Sequence, residues 1–174
     1  MKLTWFGDAT FRIQIGGQVL VIEPEAAPDG IDRGELVSGA DQVLAMRKGG
    51  KQVDLETWRP RPAQRLLEAG DALRPVQVWS VDDCGLLIDG DDDRPLLLSV
   101  GALPKPGRWA DKAVVVLAGN ELADRAERLL DAVAPTLVAL AGREAEIDAA
   151  LDRVRDRLDG TGLIALEPAL AVEA

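Results

Sequence analysis

Two uninterrupted apolar runs constrain the fold of this chain more than any other feature. Residues 113–117 read Ala-Val-Val-Val-Leu, and residues 136–141 read Thr-Leu-Val-Ala-Leu-Ala. Short runs of this kind are typical of strands that are buried on both faces, as in a parallel sheet covered by helices. Both segments are therefore predicted to be buried strands.

Two amphipathic helices are predicted on either side of the second run. The first begins after Asn120, a residue suited to the N-cap position, and stops before Pro135; the second ends near Gly160. Their apolar faces are formed by Leu122, Ala126, Leu129, Leu130 and Val133, and by Ile147, Leu151, Val154 and Leu158. With a last strand over 163–166, the C-terminal part is predicted to run strand–helix–strand–helix–strand.

The N-terminal part is predicted to consist mainly of hairpins. Residues 11–15 alternate apolar and polar side chains, Gly16-Gly17 forms a turn, and 18–22 returns as a second strand. The segment 24–40 is predicted as a loop, and 41–46 as a short buried strand. Further strands are predicted at 76–80, 84–88 and 94–100, and a short helix from Pro62 to Glu68. No linker divides the chain, so residues 1–174 are predicted to form one domain.

The amino-acid composition excludes several kinds of chemistry. The 174 residues include no histidine and one cysteine, and the chain has a formal net charge of −10. Catalysis by Ser-His-Asp or Cys-His pairs and metal binding through histidine are therefore impossible. The acidic balance argues against nucleic-acid binding, and no apolar run is long enough to span a membrane. Without a signal-like apolar segment at the start, we expect a cytoplasmic protein.

Short motifs that suggest a ligand fail when they are read in full. Asp89, Asp91 and Asp93 have the first spacings of a calcium loop, but Val100 stands where that loop needs a glutamate. A solvated hairpin tip is the favoured interpretation. Gly49-Gly50-Lys51 lacks the first glycine and the hydroxyl residue of a phosphate-binding loop. Cys84, inside an apolar run, is predicted to be a small buried side chain rather than a nucleophile.

One segment departs from the acidic character of the chain. Residues 47–65 contain six Lys and Arg against two acids, which gives the segment a net charge of +4. Such a segment could bind an anion. Pairing with the protein's own acids is the favoured interpretation, because surface charges rarely mark a specific binding site.

The segments Gly7-Asp8-Ala9-Thr10-Phe11 and Ile22-Glu23-Pro24, which flank the first hairpin, resemble the start of metallo-β-lactamase superfamily proteins, and in particular of the metal-dependent hydrolases that include the L-ascorbate-6-phosphate lactonases. Members of that branch begin with a similar strand, then Gly-His-Ala-Ser/Thr-Phe, a hairpin and Ile-Asp-Pro. This chain has Gly7-Asp8-Ala9-Thr10-Phe11 and Ile22-Glu23-Pro24 at the matching positions. The resemblance implies a four-layer αββα sandwich, an α/β (α+β) fold, in a trimmed form.

The resemblance also implies that the metal ligands have been lost. The family's Thr-His-x-His-x-Asp-His motif, which follows a strand, matches Arg47-Lys48-Gly49-Gly50-Lys51-Gln52. The later Gly-Asp falls near 98–101 and the last Pro-x-His near 138–142, and neither stretch holds a metal ligand. Arg47, Lys48 and Lys51 add positive charge where a dication would sit, and without a metal no bound water is activated.

Three functional hypotheses follow. The favoured one is a pseudoenzyme without metal or other cofactor, which binds a small molecule or protein, regulates, or serves as a structural module. In the second, the chain remains a hydrolase in which Asp8, Glu23 and Asp54 converge around a hard cation or act without metal. In the third, Arg47, Lys48 and Lys51 hold a phosphate or carboxylate. Homo-oligomerisation through a sheet edge or face is also expected to be possible.

Overall fold

The structure is a computed structural model that describes residues 1–48, 51–61, 74–90 and 94–174. The fold is built on two β-sheets. The strands are β1 Lys2–Gly7, β2 Thr10–Ile15, β3 Gln18–Ile22, β4 Gln42–Leu44, β5 Lys51–Gln52, β6 Gln77–Val81, β7 Gly85–Asp89, β8 Leu96–Ser99, β9 Val114–Ala118, β10 Leu137–Ala141, β11 Gly162–Ala165 and β12 Ala171–Glu173. The helices are α1 Arg33–Val37, α2 Leu122–Ala132 and α3 Glu144–Val154.

The first sheet has five strands in the order β12-β1-β2-β3-β4. Its β1, β2 and β3 form antiparallel neighbours, and β12 returns from the end of the chain to pair with β1. β4 lies parallel to β3 and forms the edge of the sheet. The N-terminal ammonium donates a hydrogen bond to the Ala174 carbonyl oxygen at 2.8 Å, so the two ends of the chain lie side by side.

The second sheet has seven strands in the order β11-β10-β9-β8-β7-β6-β5. β8, β9, β10 and β11 are parallel, while β6, β7 and β8 are antiparallel neighbours. The parallel strands β9 and β10 are the two apolar runs, and every residue from Val114 to Ala118 is buried. Burial on both faces follows because each face of this sheet is covered by another layer.

The main core lies between the two sheets. Alternate side chains of the hairpin strands point inward, as the period-two pattern predicts, and they meet alternate side chains of the seven-stranded sheet. The fully buried members of this core include Leu3, Phe11, Ile13, Leu20 and Ile22 from one sheet and Leu86, Ile88, Leu96, Leu98 and Val114 from the other. This sheet-on-sheet contact is the centre of the sandwich.

The outer face of the seven-stranded sheet is covered by two different structures. α2 and α3 pack over one part, and a second core forms beneath them. Three tryptophans belong to this core on the side of β6 and the loops around it. The Trp58 ring meets Trp109 edge-to-face at 4.7 Å and Trp79 at 5.6 Å between ring centroids, and the Trp109 Nε1 donates to the Leu55 carbonyl oxygen. These rings, with the 3-10 helix Arg108–Lys112 that carries Trp109, supply apolar cover beside β6.

The outer face of the five-stranded sheet has a much thinner cover. Among the described residues, only α1 and a short 3-10 turn at Pro24–Ala26 pack there, around Val21, Ala27 and Leu36. Arg12 of β2 donates to the carbonyl oxygens of Leu36 and Ser38 and thereby fixes α1 to the sheet. The sandwich therefore has four layers, and the layer outside the five-stranded sheet is the one that is reduced.

Most of the strands and both long helices agree with the sequence patterns, but two expectations are wrong and a third is not tested. The loop predicted over 24–40 contains α1, which is capped by the Asp32 side chain accepting from the Glu35 N–H at 3.0 Å. The strand predicted as buried over 41–46 is shorter, and its Val43 is 54% exposed because it faces outward on an edge strand. The predicted helix at 62–68 lies outside the described residues.

The start of α2 also differs from the prediction. Asn120 does not cap the helix; the residue before Leu122 is Glu121, which has a left-handed backbone and no capping side chain. The acceptor comes from another element, since Glu146 of α3 accepts from the Leu122 N–H at 3.2 Å. No helix of the described ranges is long and apolar enough to cross a membrane.

Gly7, at the end of β1, provides a direct test of this packing. It has a φ of +125°, and a Cβ added there would lie 2.5 Å from the Pro28 Cγ. A Gly7→Ala substitution combines a positive-φ cost of about 1–2 kcal/mol with an overpacking cost of about 1–3 kcal/mol. We expect urea denaturation to show a loss of about 3 kcal/mol in the free energy of unfolding.

Gly39→Ala is the matched control. Gly39 also has a positive φ, but open space surrounds the position of its Cβ. This variant should lose only the backbone cost of about 1–2 kcal/mol. Equal losses in the two variants would contradict the close approach of Pro28 to Gly7.

Candidate functional site

The carboxyl ends of strands from both sheets meet at one edge of the sandwich. β9 and β10 are followed by Gly119 and Gly142, and β1 by Asp8, at a cleft of about 400 Å³. In layered α/β folds, ligands bind outside the carboxyl ends of the parallel strands, so this cleft is the first candidate site. It is lined by Trp5, Gly7, Asp8, Pro28, Gly119, Asn120, Ala141, Gly142, Arg143 and Pro168.

Asp8 is the only acid among the residues that line the described cleft. Its side chain is exposed, its backbone has a left-handed φ of 43°, and its carbonyl oxygen accepts from the Trp5 Nε1 at 3.1 Å. Arg143, also exposed, is the only base there. The cleft thus offers one carboxylate and one guanidinium, which suits polar binding better than the coordination of a cation.

Glu23 does not line the cleft but holds neighbouring strands together. Its backbone is left-handed, with a φ of 46°, and one carboxylate oxygen accepts from the Met46 N–H at 2.7 Å. Its carbonyl oxygen accepts from the Thr10 hydroxyl at 2.8 Å. The carboxylate therefore has a structural partner where β3 and β4 end.

Asp54 lies after β5, at the edge of the seven-stranded sheet. Its carboxylate accepts from the Glu56 N–H at 2.9 Å and from the Thr57 hydroxyl at 3.0 Å, which closes a local turn. The hydrogen bond from the Glu56 backbone, followed by that from Thr57, lowers the pKa of the Asp54 carboxyl. Across the described ranges, no three or more Cys, Asp or Glu side chains are placed to hold a metal ion. Asp8, Glu23 and Asp54 do not form such a group.

The proposed anion-binding cations lie in and after the turn that follows β4. Arg47 belongs to the 3-10 turn Met46–Lys48, and Lys51 begins β5; both side chains are exposed. The Lys48 side chain and residues 49–50 fall outside the described part of the chain. The anion site at Arg47, Lys48 and Lys51 stays a prediction.

Another arginine of the same cationic segment does pair with an acid of the protein. The Arg61 Nε lies 2.9 Å from an oxygen of Asp89, and its Nη2 donates to the Asp89 carbonyl oxygen at 2.8 Å. Asp89 is 3% exposed, at the end of β7, so it is not part of a solvated tip as its sequence neighbours suggested. The other predicted tip acids, Asp91 to Asp93, lie outside the described residues.

Sequence patterns missed the most unusual charged group of the structure, Arg125 of α2. It is only 7% exposed, and its guanidinium donates to the carbonyl oxygens of Ser99, Ala118 and Asn120 at 2.7–3.1 Å. Burial is the main reason why the pKa of Arg125 is lowered, and the group nevertheless stays charged. The sequence did contain one indication that Arg125 is buried, because position 125 lies on the same helix face as Leu122 and Leu129.

Arg125 links the ends of β8 and β9 to the floor of the cleft. Ser99 closes β8, Ala118 closes β9, and Asn120 is itself a lining residue of the cleft. Cys84 lies within electrostatic reach of this guanidinium, but burial, which raises the pKa of its thiol, outweighs the effect of Arg125. Its Sγ donates to the Ala102 carbonyl oxygen at 3.2 Å, so the thiol is half-buried and hydrogen-bonded rather than activated.

Structural comparison places this architecture beside known hydrolases. An isothiocyanate hydrolase from Delia radicum gut bacteria superposes with a TM-score of 0.60 at 14% sequence identity, covering 99% of each chain. A proposed Zn-dependent hydrolase of the metallo-β-lactamase superfamily from Thermotoga maritima gives a TM-score of 0.51 at 15% identity, covering 96% of this chain and 99% of the other. No protein-family model and no curated protein matches the sequence. The chain therefore has a metallo-β-lactamase-like fold.

The residues of the cleft do not fit the metal that this fold carries in a Zn-dependent hydrolase. Zinc needs three or four ligands drawn from imidazole, thiolate and carboxylate groups. The chain has no histidine, Cys84 is not a lining residue, and the described cleft offers the single carboxylate of Asp8. The buried positive charge of Arg125 behind Asn120 further disfavours a dication there.

Arg125→Met tests whether the guanidinium supports the strand ends. The variant keeps an unbranched apolar side chain but removes the hydrogen bonds to Ser99, Ala118 and Asn120. Because hydrogen bonds from a charged group contribute about 1.5–3 kcal/mol, we expect the free energy of unfolding to fall by about 2–3 kcal/mol in urea denaturation.

Arg128→Met, the same change at an exposed position of the same helix, should stay within about 0.5 kcal/mol of the wild type. If the two variants were equally stable, Arg125 would not be the support that its contacts indicate.

Proposed function

We propose that this protein is a catalytically degenerate relative of the metallo-β-lactamase-fold hydrolases that acts by binding rather than by hydrolysis. The observation that carries the proposal is the chemistry of the cleft at the strand ends. Its described lining contains Asp8 and Arg143 as the only charged side chains, with the Arg125 guanidinium directly behind Asn120. A hydrolase of this fold generates its nucleophile by lowering the pKa of a metal-bound water, and this lining provides no ligand set for that metal.

Three of the positions at or near those that match the family's ligands support the same proposal because each has another structural use. Glu23, which stands in place of the family's aspartate, accepts a backbone hydrogen bond from Met46. Ser99 is bound through both its carbonyl and its hydroxyl oxygen by Arg125. Gly142 packs so closely that a Cβ would lie 2.8 Å from Leu122 and 3.0 Å from the Gly119 carbonyl oxygen. These contacts support the fold, and Asp8 is left as the single carboxylate of the described cleft.

Metal titration tests the loss of the metal site. A metal ion present at a hundred times its dissociation constant would stabilise the protein by about 2.7 kcal/mol, which raises the melting temperature by several degrees for a chain of this length. We expect no rise with Zn²⁺, Mn²⁺ or Fe²⁺, and far less than one metal ion per purified chain by mass spectrometry.

A Cys84→Ser variant controls for zinc bound adventitiously by the single thiol of the chain. Stoichiometric metal that persists in this variant would refute the proposal.

The alternative is a residual hydrolase, and substitutions of Asp8 distinguish it from the pseudoenzyme. Asp8 is the one acid in the described cleft, so acid–base chemistry in that cleft must use its carboxylate. We expect no turnover of phosphodiesters, lactones or thioesters, with or without Mg²⁺ or Mn²⁺, above that of an Asp8→Lys variant.

Asp8→Asn, which preserves the side-chain shape, serves as the second control. Turnover by the wild type that disappears in both variants would establish the hydrolase and exclude the pseudoenzyme.

A further inference from the structure

A second cavity lies away from the cleft, between α2 and the loop that follows β8. It encloses about 260 Å³ and shares no lining residue with the cleft. The base is formed by Leu117 of β9, and one side by Leu129 and neighbouring residues of α2. Its lining consists of Ala102, Leu103, Pro104, Lys105, Pro106, Leu117, Arg125, Arg128, Leu129 and Ala132.

The charge of this cavity is opposite to that of the protein. Three of its lining residues, Lys105, Arg125 and Arg128, are cationic and none is acidic, although the chain has a net charge of −10. Neither Lys105 nor Arg128 forms an ion pair with another described residue. A cationic pocket in an acidic protein favours an anion over a neutral ligand.

α2 separates its charges between two sides. Its acids Asp124, Glu127 and Asp131 face α3, where they pair with Arg153 and Arg157 at 2.7–3.5 Å. Its bases Arg125 and Arg128 face the cavity instead. The acids that could have neutralised the cavity are therefore already bound elsewhere.

Arg125 supplies the strongest indication of a missing partner. Its Nη1 and Nη2 atoms reach carbonyl and hydroxyl oxygens, but its buried Nε–H has no acceptor among the described residues, and no carboxylate contacts the guanidinium. A buried charge and a buried donor without a partner both cost free energy. An anion in the cavity would offset the cost of the buried charge.

The remaining lining defines the chemical class of that anion. Leu103, Leu117 and Leu129 provide an apolar wall, which favours an apolar body attached to the charged group. Pro104 and Pro106 have no N–H to donate, so this loop is poorly suited to surround a phosphate with backbone donors. A single carboxylate needs fewer donors, and guanidinium groups bind it well.

We propose that this cavity binds a small organic monocarboxylate with an aliphatic or aromatic body. The carboxylate lies toward Arg125, Arg128 and Lys105, and the apolar body lies against Leu103, Leu117 and Leu129. The proposal does not depend on whether the cleft is inactive, because the two sites have no lining residue in common.

Isothermal titration calorimetry with octanoate and 4-phenylbutyrate tests the class of ligand. We expect saturable binding of at least one of these carboxylates, with amide chemical-shift changes concentrated at 102–106 and in α2. Octan-1-ol, the neutral analogue, and inorganic phosphate should show no saturable binding at the same concentrations. Equal binding of octan-1-ol would overturn the role of the cations, and equal binding of phosphate would overturn the carboxylate assignment.

Two substitutions at exposed lining positions test the location. Arg128→Glu reverses one charge of the cavity, and Ala132→Phe fills it; each should weaken carboxylate binding by about tenfold or more. Arg155→Glu and Ala149→Phe make the same changes at exposed positions outside the cavity and should bind like the wild type.

Two outcomes would refute the site: no saturable binding of either carboxylate, or binding that both cavity variants leave unchanged. Metal content and turnover are measured separately, so a failure here is distinguishable from a failure of the pseudoenzyme proposal.

Discussion

A charged guanidinium held among backbone carbonyl oxygens connects the parts of this molecule that bear on function. Arg125 extends from α2 to the ends of β8 and β9 and reaches the carbonyl oxygen of Asn120 in the cleft. Strand ends in this fold must be held in place by some group that can satisfy their free carbonyl oxygens. Here one protein side chain does so, with a positive charge that belongs to the protein itself.

The sandwich and the cleft depend on different side chains. The two sheets are held together by side chains such as Phe11, Leu98 and Val114, none of which lies in the cleft. The edge where strands end is free to change its chemistry as long as the local backbone is supported, since function resides in sites carried by a fold. Asp8 and Glu23 both have left-handed backbones near this edge. The Asp8 side chain is exposed, whereas the Glu23 carboxylate accepts a hydrogen bond from the Met46 N–H.

Much of the fold could be predicted because it depends on short-range patterns. The alternation in 11–15 predicts a strand that is buried on one face, and the apolar run at 113–117 predicts a strand that is buried on both faces. The structure has a strand at each of these places. The start of α2 and the exposure of Val43 could not be predicted in this way. Each depends on a distant element: Glu146 of α3 in the first case, and the thin layer around α1 in the second.

The candidate site was less predictable for the same physical reason. Sequence matching located Asp8 at the cleft but could not show that the Glu23 carboxylate is bound by Met46 or that Asp54 closes a turn of its own. The sequence patterns led to no prediction for Arg125, although its spacing from Leu122 and Leu129 places it on the buried face of α2. A side chain's partners across the fold, rather than its residue type, decide what it is able to do.

The unequal outer layers have a consequence for the motions of the protein. β9 and β10 are covered on both faces, whereas β4 is an edge strand with an outward valine and little above it. Local opening costs least where few apolar contacts are broken. Transient opening therefore begins at α1 and β4, while the parallel strands stay closed until the whole sandwich unfolds.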